Sequence, residues 1–224
     1  MNKQEIKELI NTENPTILEI GAHDGSDTND FLQTFKFGYF YCFEPDPRCV
    51  KKHKVNVNDS RCKLFEVALS NENSKGLLYM SGGWPPDWPG SGDWDYSSSL
   101  KKPLNHLKMH PWCKFDKTTI VKTITLDQWT MENVKGKIID FIWMDVQGAE
   151  GDVIKGGLNT LRYRTKYIYT EYANDEQYEG QLNLEAILKL LSNFVLLRQI
   201  DNNVLLKNLG LEDVRKDRYY NSNK

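Results

Sequence analysis

Apolar positions along this chain fall into short β-type runs separated by stretches of helical periodicity. Residues 3–11 set Ile6, Leu9 and Ile10 on one side of a helix that Pro15 ends. "TILEIG" (16–21) is β-branched, apolar and closed by glycine, the pattern of a strand buried on both faces. Ser26 or Asp27 can cap a helix over 28–36. "GYFYCFEP" (38–45) is a second strand stopped by Pro45, and 47–57 reads as a helix. "KLFEVALS" (63–70) gives a third strand and "GLLYMS" (76–81) an added β-segment. "TIVKTITLDQW" (119–129) alternates like a strand with one wet face, and "KIIDFIWMDVQG" (137–148) is a buried strand running into a glycine turn. A helix over 149–160, the strand "KYIYTEY" (166–172) and a helix over 183–193 follow. "FVLLRQI" and "VLLKN", joined by Asp201-Asn202-Asn203, form a hairpin. Roughly five β/α steps closed by that hairpin predict an α/β fold with a mostly parallel sheet and helices on its faces. The basic stretch from Arg215 to Lys224 reads as a frayed tail.

One segment, about 82–117, fits no element. Its first part, "SGGWPPDWPGSGDWDYSSSL" from Ser81, holds three prolines, four glycines and Trp84, Trp88 and Trp94. Loops of this length are usually functional or disordered. The rest of the chain reads as one domain over 1–224, long enough for a real core. A formal charge of −2 gives no basic excess for nucleic acid or an anionic membrane. Lys51, Lys52, His53 and Lys54 read as the wet face of a helix. The longest apolar run, around Ile138–Met144, is broken by Asp140 and too short to span a bilayer. The polar N-terminus is no signal peptide, and the four cysteines lack zinc-ligand spacing. Buried thiols in a reducing cytoplasm are therefore expected.

In an open α/β sheet, ligands bind beyond the carboxyl ends of the strands. The first such end is Glu19-Ile20-Gly21-Ala22-His23-Asp24-Gly25. Gly21 lets the backbone approach a ligand and Gly25 permits the turn into a helix. Glu44 ends the next strand, just before Pro45, and can accept both hydroxyl hydrogens of a ribose. The turn has one glycine fewer than Gly-x-Gly-x-x-Gly and carries the acids Glu19 and Asp24. Those charges repel a pyrophosphate and favour a cation. S-adenosylmethionine (SAM), with a sulfonium, an ammonium and a ribose, fits. His23 braces the turn. Glu66 to Ala68, at the third strand end, lie where adenine must go.

These residues occur in the stretches "LEIGAHDGSDT", "FEPDP", "EVALSNE", "SSSL", "ITLD", "DFIWMDVQGAEGDVIKGG" and "YTEYANDEQYEG", which span about residues 17 to 180. Together they resemble the FkbM-type methyltransferases, a SAM-dependent branch with a seven-stranded Rossmann-like fold. The family often carries a lysine before the Asp of the longest stretch and a glutamate after its Val. This chain has Met144 and Gln147 there, as in an Asp-Val-Gln-Gly-Ala-Glu subgroup. The resemblance implies O-methylation of a hydroxyl on a sugar or sugar-like acceptor. It also places Ser98 and Ser99 near the donor and matches His106 and His110 to a similarly spaced histidine pair.

Methyl transfer to a hydroxyl needs positioning and a group that takes the hydroxyl proton. Asp145, at a strand end, can accept that proton, bind the SAM ammonium or, with Glu171, hold a divalent cation. A metal-free site is the preferred reading. His106 or His110 can also serve as base. Gln147 is expected among the SAM-binding residues, and Glu150 caps the helix that follows. Trp84, Trp88 and Trp94 either close over sugar faces, with Asp87, Asp93 and Asp95 on ring hydroxyls, or pack a surface mini-core or dimer interface. A sugar- or glycan-modifying enzyme, monomeric or homodimeric, is expected. A non-catalytic SAM- or glycan-binding module and an RNA methyltransferase are the alternatives.

Overall fold

The computed structural model describes residues 1–90 and 92–211. Strand β1 (Thr16–Ile20) pairs in parallel with β2 (Tyr39–Phe43) on one side and β7 (Ile139–Met144) on the other, and it is buried at every position because helices pack on both faces of the sheet. Strand β3 (Cys62–Phe65) extends the sheet beyond β2, and β8 (Thr165–Glu171) beyond β7. The hairpin β9 (Phe194–Ile200) and β10 (Asn203–Asn208) completes it, with β10 antiparallel to β8. The order is β3-β2-β1-β7-β8-β10-β9, so the direction of strand addition reverses beside β1. Asp140 interrupts the apolar run of β7 because it is paired there. Its carboxylate accepts Thr16 N at 2.9 Å and meets Lys166 Nζ at 2.6 Å.

Helices cover both faces. Helix α1 (Lys3–Ile10) starts in a capping box between Asn2 and Glu5 and turns Ile6 and Ile10 inward. They pack with Phe31 of α2 (Ser26–Thr34) against Ile17, Phe40 and Phe141. On the other face lie α5 (Leu126–Asn133), α6 (Glu150–Gly156), α7 (Leu158–Arg164) and α8 (Leu184–Leu190), where Trp129, Val153, Leu161 and Ile187 bury against Leu18, Ile142 and Ile168. Helix α3 (Pro47–Asn56) is capped by Asp46, whose carboxylate accepts Arg48 N.

Four expectations shift. The third predicted strand splits: after Phe65 the chain leaves the main sheet, and β4 (Ala68–Leu69) joins a second sheet of order β4-β6-β5. There β6 (Cys113–Ile124) pairs with β4 in parallel and with β5 (Ser74–Gly83) in antiparallel register. The alternation of 119–129 stops at Ile124. Thr125 then caps α5 by accepting Gln128 N, and Trp129 is a core residue of that helix. The helix over 149–160 breaks into α6 and α7 at Gly156–Gly157, where a Cβ on Gly156 would stand 2.0 Å from Ser70 O. The irregular segment narrows to 84–112 and contains the short α4 (His106–Met109). The segment Arg215–Lys224 lies outside the described residues. Among those residues no helix is long and apolar enough to cross a membrane.

Candidate active site

A cavity of about 250 Å³ opens beyond the carboxyl ends of β1, β2 and β7. Gly21 starts its floor at φ +92°, and its N–H donates to Phe43 O at 2.9 Å. A Cβ there would stand 1.8 Å from Asp145 O, so the two strand exits touch only because position 21 is glycine. Gly21→Ala is expected to lower stability by at least about 2 kcal/mol, from left-handed strain plus a backbone clash, read by urea denaturation. An unchanged midpoint contradicts the close approach.

His23 also sits in the left-handed region, at φ 46°, and braces the turn. Its N–H donates to Glu44 Oε2 at 2.9 Å, its Nε2 meets Asp95 Oδ1 at 2.8 Å, and Tyr96 stacks on its ring at 4.1 Å. Asp24 takes the N–H and hydroxyl of Ser26, so it, rather than Ser26 or Asp27, satisfies the first turn of α2. Gly25 is the N-cap at φ 84°, packed on Val57 and His53. It shapes the turn without reaching the cavity wall.

Glu19, Glu44 and Asp145 all line this one cavity. Glu19 accepts Thr28 Oγ1 at 2.5 Å, and burial pushes it up to about 8. Glu44 accepts Asp46 N at 2.7 Å as well as His23 N, and burial holds it at about 7. Asp145 is exposed to the cavity but closely surrounded by protein, and this desolvation raises it. Gln147 Nε2 opposes the rise by donating to Oδ1 at 2.7 Å. Acids crowded this way fit a positively charged ligand. The folded chain keeps protons that the unfolded chain releases near 4.5. Stability from this source is therefore full below that value and is lost as pH rises through 7 to 8. Unfolding temperature of the ligand-free protein should fall between about pH 5 and 8. Affinity for a cationic ligand should rise over the same range, with proton release seen by calorimetry. Affinity independent of pH would contradict this.

Other expected residues also reach the cavity. Pro45, Ala68, Ser98, Ser99 and Gln147 line it, with Val67, Leu69 and Leu78 beside Ala68. Ser98 Oγ donates to Asp46 Oδ2 at 2.9 Å, and Ser99 Oγ donates to Gln147 O at 2.7 Å. Glu66 is not part of the wall. Its exposed carboxylate pairs with Lys54 at 2.5 Å, because the chain turns between the two sheets there. Glu150 folds back onto its own turn, accepting Val146 N at 3.1 Å, and burial pushes it up to about 7. Glu171, at the end of β8, lies off the wall and is raised to about 8 by burial and then by Asp145 and Glu150.

The histidine pair is placed apart from the cavity. His106, on α4, is buried against His110, Phe115 and Tyr178, and desolvation drives it down to about 4. Trp84, Trp88 and Trp94 do not line the cavity either. Trp84 Nε1 donates to Trp88 O, Trp88 meets Trp94 edge-on at 6.0 Å, and Trp94 contacts Tyr96 at 4.8 Å and Trp112 at 5.0 Å. The indoles thus form a surface cluster, joined to the donor turn through Tyr96 and His23. Asp93 and Asp95 are engaged by protein: Asp93 accepts Gly83 N and faces Arg48, while Asp95 pairs with His23 and with Lys52 at 2.5 Å. The basic run 51–54 divides, since His53 is buried, and Lys52 and Lys54 hold Asp95 and Glu66.

Sequence reading missed Asp95 as a brace and missed Tyr96 and Tyr178 altogether; nothing in their spacing marks them. Metal-capable side chains gather elsewhere than Asp145 and Glu171. Among the described residues, Cys42 with His53 and Cys62, and His23 with Cys49 and Asp95, bring ligand atoms within 4.8 Å of one another.

The strand order is that of a Rossmann-like methyltransferase fold, and the glycine turn and the acids Glu19, Glu44 and Asp145 gather at one cavity at its ligand-binding end. The chain matches the methyltransferase FkbM domain over residues 19–201, and it belongs to that family. It is 44% identical over 216 residues to the 2-O-methyltransferase NoeI of Sinorhizobium fredii, covering 93% of this chain and 85% of that protein. It is therefore a SAM-dependent O-methyltransferase. The crystal structure of methyltransferase FkbM from Methylobacillus flagellatus KT shares the fold at TM-score 0.52 and 13% identity. That match covers 87% of this chain, which spans only 44% of the longer relative.

Proposed function

We propose that this enzyme methylates a ring hydroxyl of a sugar, free or within a glycan, and that Asp145 takes the hydroxyl proton. The observation that carries the reading is the aromatic rim. Tyr96 is 56% exposed, lines the cavity and continues outward through Trp94 to Trp88, itself 57% exposed. Exposed aromatic faces at a cavity mouth suit the apolar faces of sugar rings. The relative's name, a 2-O-methyltransferase, supports a ring position as acceptor.

SAM supplies a methyl group carried on a sulfonium. Glu44 is suited to the ribose hydroxyls, since each carboxylate oxygen keeps a lone pair beyond its backbone amide. Val67, Ala68 and Leu69 offer a flat apolar wall for the adenine. Asp145 stands at the end of β7 and accepts a proton from a hydroxyl held beneath Tyr96. Ser98 and Ser99 hold the loop against this face and exclude water from it. No step needs a metal, and a reducing compartment such as the cytoplasm is part of this reading.

Transfer of labelled methyl from SAM to a panel of mono- and oligosaccharides tests the reading. A methylated ring hydroxyl, located by NMR of the product, supports it. No transfer to any saccharide, with transfer to a phenol or carboxylate instead, overturns it. Trp88→Ala should raise the acceptor KM about tenfold while leaving SAM affinity intact. An unchanged KM would assign the indole to packing alone.

A further inference from the structure

The side chain of Tyr178 joins segment 97–99 to the turn after β7 that carries Asp145 and Gln147. Its Oη lies 3.0 Å from Ser97 O and 3.1 Å from Gln147 Oε1. Gln147 Nε2 in turn donates to Asp145 Oδ1 at 2.7 Å. The Gln147 amide is thereby addressed at both ends: its oxygen shares the single phenol proton with Ser97 O, and its nitrogen holds the carboxylate. Its backbone is held too, in the left-handed region at φ 52°, with Ser99 Oγ donating to Gln147 O.

Tyr178 is itself immobilised. Segment 102–106 runs beside 176–179, with Leu104 N and His106 N on Gln177 O, and Glu179 N on Lys102 O. The Tyr178 side chain lies against Gly148, where a Cβ would stand 2.7 Å from Tyr178 Cβ, and the His106 ring closes the other side at 5.3 Å. A fully buried phenol between two backbone segments, aimed at a glutamine that holds a strand-end acid, is more than packing requires.

We propose that Tyr178 is a positioning residue: acting through Gln147, it fixes the direction and ionised state of Asp145 and couples them to the seating of Ser97–Ser99. The proposal rests on the catalytic reading of Asp145 given above. Without the phenol hydroxyl, the Gln147 amide is free to rotate and present its oxygen to Asp145, which favours the protonated acid. The other charges bearing on Asp145 are His23, which favours ionisation, and Asp27, Glu150 and Glu171, which oppose it.

Tyr178→Phe removes only the hydroxyl. It should cut kcat about tenfold at neutral pH, the effect of one lost hydrogen bond to a charged relay, with SAM affinity unchanged. The acid limb of the kcat profile should move upward. Direct carboxyl ¹³C titration should show the same upward move for Asp145. In a Gln147→Leu background the Tyr178→Phe change should have no further effect, because the relay is already cut. An Asp145 titration identical to wild type, or penalties that simply add, would overturn the proposal. If Y178F cannot be purified folded, Gln147→Leu alone must reproduce the upward titration, and its failure to do so counts equally against the idea. The titration needs no acceptor, so it decides the relay even if Asp145→Asn proves the carboxylate is not the base.

Discussion

Glu44→Ala is expected to weaken SAM binding about a hundredfold, measured by calorimetry with SAM or S-adenosylhomocysteine. On the ribose assignment proposed above, two ligand hydrogen bonds to a charged group are lost, each contributing about 1.5 kcal/mol. The residue also accepts His23 N and Asp46 N, so the alanine variant releases two backbone amides of the pocket. Glu44→Gln separates the effects. It keeps the size and one acceptor, and should cost about tenfold. Affinity unchanged in both variants would place the ribose elsewhere and remove the basis for reading β2 as the ribose strand.

Asp145→Asn should lower kcat by about 10² to 10⁴, the usual range for a lost general base, while SAM affinity stays within about threefold. The substitution is isosteric and leaves an oxygen to accept Gln147 Nε2, so the turn keeps its shape. Steady-state rates paired with calorimetry make the distinction. A fall in SAM affinity as large as the fall in kcat would give the carboxylate to the SAM ammonium instead. Full turnover in the variant would put the base elsewhere, with Glu171 at the end of β8 a remaining carboxylate coupled by charge to Asp145.

Much of this site lies in sequence-local signals. β1, β2 and β7 are apolar runs with neighbours on both sides, so their ends could be found, and Gly21, Glu44 and Asp145 stand at those ends. Where the pattern failed, a distant partner decided. Ala68 and Leu69 resemble a continuation of β3, but β6, more than fifty residues later, takes them into another sheet. At Thr125 a local signal was present, a Thr three residues before a Gln, and the preceding alternation masked it. Asp95, Tyr96 and Tyr178 gain their roles only through tertiary contacts with His23, Trp94 and Gln147. The indole-rich stretch was legible as unusual, but its distance from the cavity was not.

That stretch closes on itself at its base. Trp94 N donates to Gly83 O at 2.8 Å and Gly83 N to Asp93 Oδ1 at 3.1 Å, so 84–93 departs and returns at one point. Asp95 and Ser97–Ser99 are tethered separately, to His23, Lys52, Asp46 and Gln147. Insertions or deletions within 84–93 therefore change the outer reach of the enzyme while the tethers of Asp95 and Ser97–Ser99 remain in place. Under the sugar-acceptor reading proposed above, the tip is the graft point for retargeting this scaffold to a longer or shorter acceptor.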